Sequence, residues 1–140
     1  MADNYKGSSS FLDVPLDKID LVQGIIDKAS KKLEAEDGFV HIDYNIEKNT
    51  EGRTGVWFYS ERYANPEHVE HLAKAIIETL KLTKPFYCSW AYTCSKPRID
   101  EFGGGAFCVR LGKKTIWVNA MNEVINRSLT IYEYSIKTKF

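Results

Sequence analysis

Apolar residues in this chain keep a helical period in two stretches and a strand period between them, and that alternation restricts the fold more than any other feature. From Asp17 onward, Leu21, Val22, Ile25, Ile26, Ala29 and Leu33 recur at the spacing of one helix face, and Gly38 supplies a stop signal. Val40, Ile42, Tyr44 and Ile46 then alternate with His41, Asp43, Asn45 and Glu47, the period-2 pattern of a strand whose even residues are covered. Residues 48–53 read as a hairpin turn, and the run from Gly55 to Glu61, with Trp57, Phe58 and Tyr59, resumes as an antiparallel partner.

A second helix starts at Asn65-Pro66, because Asn accepts first-turn amide protons and Pro presets the first helical φ. Its buried stripe is Val69, Leu72, Ala73, Ile76, Ile77 and Leu80, and it stops before Pro85. Three further apolar segments, 86–93, 106–111 and 115–119, form a meander, the last two joined by a tight turn at Gly112. Residues 120–129 suit a short helix and 130–136 a final strand or extended arm. The fold class is therefore α+β: a mainly antiparallel sheet of about five strands in helix-β-β-helix-β-β-β order, with helices packed on one face. Residues 1–10, polar and small with a serine triplet, read as a flexible arm ahead of one domain at 11–140.

At 140 residues and 44% hydrophobic content, such a domain buries a core without disulfides or metals. Three cysteines without paired spacing are simplest as free thiols. Cys88 and Cys94, six residues apart along a strand, stand roughly 20 Å from each other, too far for a disulfide or a shared metal. Basic and acidic residues both total 19, so no overall field draws the chain to nucleic acid or an anionic membrane. There is no apolar run of membrane-spanning length, and the opening residues lack the apolar core of a signal peptide; a cytoplasmic protein is expected.

The segment 94–105, Cys-Ser-Lys-Pro-Arg-Ile-Asp-Glu-Phe-Gly-Gly-Gly, concentrates four charges and three glycines between two apolar runs. Lys96 and Arg98 are suited to hold a phosphate or carboxylate, with the amides of Gly103, Gly104 and Gly105 forming an anion nest. Asp100 and Glu101 suit an acid/base pair or a divalent cation. The plainer reading is a solvated loop whose glycines make a bulge or a positive φ at the strand start. The glycine spacing matches neither the dinucleotide fingerprint nor the phosphate-binding P-loop.

Across that loop the strands register even with odd: Phe86, Cys88, Trp90 and Tyr92 share a face with Phe107, Val109 and Leu111, which leaves Cys108 and Arg110 on the other. That opposite face collects His41, Asp43, Trp57 and Tyr59, with Arg110, Trp117 and Asn119 as further candidates, a polar and aromatic platform for a base or a partner protein. A second helix, a dimer mate or the C-terminal segment are its alternative covers. His68 and His71 lie at i, i+3, not the i, i+4 of helical zinc motifs, and read as solvated histidines.

The run from Trp90 to Ala106, Trp-Ala-Tyr-Thr-Cys-Ser-Lys-Pro-Arg-Ile-Asp-Glu-Phe-Gly-Gly-Gly-Ala, resembles a pattern in small proteins of phages, plasmids and bacterial genomes that carries no established activity. The resemblance spans about 86–119 and implies a prokaryotic or phage-infected cell. With no nucleophile beside a base, no metal cluster and no cofactor fingerprint, the sequence favours a non-catalytic binding protein, an accessory factor acting on a host protein. No cofactor and no metal are expected; a protein partner is, with a homodimer as a further possibility. The alternatives are a small enzyme or nucleotide-binding domain using the 95–105 loop, and RNA binding on the open sheet face.

Overall fold

The computed structural model describes residues 4–38, 42–50, 52–96 and 103–139. Asn65 and Pro66 act as their chemistry requires: the Asn65 side-chain oxygen accepts from the His68 amide at 3.2 Å, and Pro66 occupies the first helical turn. Helix α2 runs from Pro66 to Leu80 and buries Val69, Leu72, Ala73, Ile76, Ile77 and Leu80, the whole expected stripe. Helix α1, Val22–Asp37, follows a 3-10 turn at Ile19–Leu21 and buries Val22, Ile26, Ala29 and Leu33, while Leu21 stays exposed. The His68 imidazole, taken from sequence as solvated, is buried and pairs with Asp37 at 3.3 Å, tying the start of α2 to the end of α1.

Six strands form one sheet: β1 Asn4–Asp13, β2 Asp43–Thr50, β3 Arg53–Ser60, β4 Phe86–Cys94, β5 Gly103–Val109 and β6 Ile116–Asn119. Their order is β2-β3-β1-β4-β5-β6, with every neighbouring pair antiparallel. The first described element is thus a strand, and that strand lies inside the sheet. Residues 4–10, expected as an arm, are most of β1, pairing with β3 over Ser8–Asp13 and with β4 over Asn4–Ser8. The residue types show no apolar pattern there, but a strand bonded on both sides is held by its backbone, and its neighbours' side chains cover it.

Leu12, Val56, Phe58, Phe86, Cys88, Phe107 and Val109 point to the side carrying α1 and α2 and form one core with their stripes. Phe58, Phe86 and Phe107 follow one another at ring distances of 6.0 Å, a line of edge and tilted contacts spanning β3 to β5. The even-with-odd register across the β4–β5 hairpin holds: Phe86 lies opposite Val109, Cys88 opposite Phe107 and Trp90 opposite Gly105. Glu70 accepts from the Thr115 hydroxyl at 2.5 Å and Glu78 from the Gly112 amide at 2.9 Å, so α2 also fastens the β5–β6 connection.

The C-terminal segment departs from expectation. Residues 120–139 form a single helix, α3, Ala120–Lys139, with no final strand at 130–136. Asn119 caps it, its side-chain oxygen facing the amides of Met121 and Asn122 at 3.1 and 3.2 Å. Once nucleated by a cap, a helix propagates through β-branched and aromatic residues whose short alternation looks like a strand. No helix among the described residues is long and apolar enough to cross a membrane.

Candidate functional site

The glycine run at 103–105 belongs to β5. All three residues are extended and paired with β4, and none has a positive φ, so their backbone has the straight run of a strand and not the alternating hand of an anion nest. Their smallness serves the aromatics opposite. A Cβ on Gly103 would stand 2.8 Å from the Tyr92 ring, and one on Gly105 would stand 2.5 Å from the Trp90 ring. The rings of β4 therefore lie flat across β5, an aromatic cover over glycine. Lys96 is exposed beyond β4. Arg98, Asp100 and Glu101, and likewise His41, lie outside the described residues.

Trp117 was a candidate for the face opposite the helices, but it lies on the helix side. Its partner in register is Phe107, and its ring sits 4.8 Å from Phe107 and 5.9 Å from Trp90. The reason is parity: β6 pairs Trp117 with the core residue of β5 and leaves Ile116 and Val118 to the other face.

On that other face Trp57 and Tyr59 do stand together, ring centroids 4.3 Å apart. The Trp57 indole N–H donates to the Ser9 hydroxyl at 2.9 Å, which lays the ring over β1. Below it Phe11 covers Gly55, where a Cβ would stand 2.8 Å from the Phe11 ring, and the Arg53 guanidinium lies 4.0 Å above the ring's other side. The pairings then extend across the sheet: Ser9 faces Tyr59, Ser89 faces Ala106, and Ala106 faces Val118. The next row holds Phe11 beside Trp57, then Tyr87, Cys108 and Ile116.

These rows make a shallow trough. Its floor is built from small residues, Gly7, Ser9, Ser89, Ala91 and Ala106; one wall is Trp57 and Tyr59, the other Ile116 and Val118, and Tyr87 stands at one end. Hollows of about 640 Å³ under Tyr59 and about 550 Å³ beside Phe11 meet at Ser9 and Trp57. The β1–β4 ladder ends at Ser8, and the seam is continued by the Ser8 hydroxyl donating to the Ser89 carbonyl at 2.7 Å and lying 3.4 Å from Cys88 Sγ. Nearby, the buried Ser10 hydroxyl has no hydrogen-bond partner among the described residues.

Of the cysteines, Cys88 and Cys94 are buried while Cys108 is half-buried in the trough, and no group of three or more His, Cys, Asp or Glu among the described residues is placed for a metal. The trough lining is apolar contact area with a few hydroxyls and the Cys108 thiol, and Glu47, Arg53 and Glu61 stand at the rim. Sequence reasoning found Trp57 and Tyr59 but missed Ser9, Phe11, Tyr87, Ala106, Ile116 and Val118. The signal for the last four was present in the hairpin parity; Ser9 was hidden by reading residues 1–10 as an arm, and Phe11 because no strand was expected beside that arm. No protein-family model matches the chain, and no curated protein or solved structure matches it.

Proposed function

We propose that this protein works by binding rather than by catalysis, and that the open face of its sheet is what it presents to a protein partner. The observation that carries this is the exposure of Trp57, Tyr87, Ile116 and Val118 on one face, on strands that α1 and α2 cover only from behind. Monomeric soluble proteins seldom leave a contiguous apolar patch of this kind without a use for it. Aromatic walls around a desolvating floor are also the composition of interface centres. Together with the resemblance of 90–106 to small phage and plasmid proteins, this supports an accessory factor acting on a host protein in the cytoplasm.

Affinity capture from a bacterial lysate tests it, using wild type, Ser89→Arg in the trough floor and Lys28→Glu on the exposed side of α1. A partner retained by wild type and Lys28→Glu and lost with Ser89→Arg supports the reading; three identical capture profiles overturn it. The Trp57–Tyr59 stack is also a platform on which a base can sit. Glu47 and Glu61 share its rim, which opposes a polyanion. Salt-dependent retention on single-stranded RNA would move the reading from protein to nucleic acid.

A further inference from the structure

Among the described residues, the same chain carries a second exposed apolar surface. Helix α3 leaves the end of β6, and its described side chains from Met121 to Leu129 are exposed, save the half-buried Glu123. Met121, Val124, Ile125 and Leu129 fall at helical spacing on one stripe and are 47–60% exposed. A 20-residue helix with such a stripe is marginal in water by itself, and packing of its apolar face is what normally stabilises it.

We infer that α3 of one copy lies in the trough of a second copy, and that the two exchange helices about a two-fold axis. The inference rests on the reading of the open face as a docking surface and makes its protein partner a second copy of this chain in place of a host protein. Size argues for it first. The trough floor spans β1, β4 and β5, roughly 10 Å at the usual strand spacing of about 4.8 Å. A helix with its side chains is about 10–12 Å across, and the stripe from Met121 to Leu129 reaches roughly 13 Å, the run of the trough rows from Gly7 to Phe11 at about 3.3 Å per residue. Serine, alanine and glycine on the floor let a helix approach closely, while Trp57 on one side and Ile116 and Val118 on the other flank its apolar stripe.

Area argues for it second. Trp57, Tyr87, Ile116 and Val118 are 37–70% exposed, in addition to the four residues of α3. With an aromatic side chain carrying roughly 150–250 Å² and the six aliphatic residues less each, these eight leave an open area on the order of several hundred Å² on each protomer. A stable interface of standard size buries about 800 Å² per partner. One reciprocal exchange therefore covers both surfaces at once, and two-fold symmetry closes the assembly without a free trough that would propagate a fibre.

The test uses the full chain on a Cys108→Ser background. Light scattering after gel filtration gives the mass, and two variants that each add one cysteine to the buried Cys88 and Cys94, Ser89→Cys and Val124→Cys, are mixed and oxidised. The expected result is a particle of twice the 16.0 kDa chain mass and a disulfide that forms several-fold more in the mixture than in either variant alone. A folded Val124→Asp, Leu129→Asp variant is expected as a monomer, since both positions are exposed in the single chain. A monomeric wild type at high concentration overturns the inference. So does a dimer in which Val124→Cys joins only to itself, which would place α3 against α3. Loss of a captured partner on Ser89→Arg in a wild type that is monomeric would retain the docking surface and remove only its occupant, which distinguishes the two failures.

Discussion

At the scale of residues, two kinds of position do unlike work. Asn65 was legible from sequence because its function is local: a side-chain oxygen, a following proline and a helix pattern lie within a few residues. Replacing it by Ala removes the cap and is expected to cost about 1 kcal/mol, read as a shift of the denaturant midpoint at constant slope. Gly103 and Gly105 were legible as unusual and illegible as to cause, because the reason sits across the hairpin in the rings of Tyr92 and Trp90. Gly105→Ala forces a methyl into the Trp90 ring and the Val118 carbonyl, and a loss of roughly 1–3 kcal/mol is expected. If the glycines served an anion nest instead, added phosphate would raise the stability of wild type and not of the variant. Because they pack beneath aromatic rings as part of a strand, phosphate is expected to change neither.

The elements divide in the same way. Helices α1 and α2 and the β4–β5 hairpin followed from periodicity, since each buries one face against a common core and a buried face imposes its period on the sequence. Strand β1 imposes no such period: Lys6, Ser8 and Ser10 share the core-side parity with Leu12 alone as an apolar member, and its stabilisation comes from backbone pairing on two sides. Helix α3 misled for the converse reason, because Ile131, Tyr132, Tyr134 and Ile136 offer a strand-like alternation that no neighbouring strand uses. The unfolding temperature of the full chain is expected to rise with protein concentration, as it does when folded chains associate. A chain ending at Asn119 is expected to lose that dependence while keeping a cooperative transition, measured by calorimetry over a concentration series. A concentration-independent transition in the full chain would leave α3 without a role in assembly.

For the whole molecule, the position of β1 couples the two halves of the sheet. It is the strand between the β2–β3 hairpin and the β4–β5–β6 meander, so those two units meet through it and through the helices above. Deleting residues 1–10 is expected to abolish cooperative unfolding in circular dichroism, whereas a detachable arm would leave the transition in place. The same strand carries Ser9, which lines both hollows of the open face, so the fold and the shape of that face depend on one segment. What makes the surface distinctive is that, among the described residues, α1 and α2 pack on the face opposite it, while α3 carries an exposed apolar stripe from Met121 to Leu129.

Hydroxyl-radical footprinting reports directly whether that face is covered. Tyr87, 70% exposed in the single chain, and Trp57 are the probes, compared between wild type and the Val124→Asp, Leu129→Asp variant at equal concentration. Oxidation of both residues several-fold slower in wild type is the predicted result, with Leu21, 59% exposed at the start of α1 behind the sheet, oxidised equally in the two proteins. Equal oxidation of Tyr87 and Trp57 in wild type and variant would contradict helix exchange, because the sheet face would then be open to solvent whether or not α3 keeps its apolar stripe.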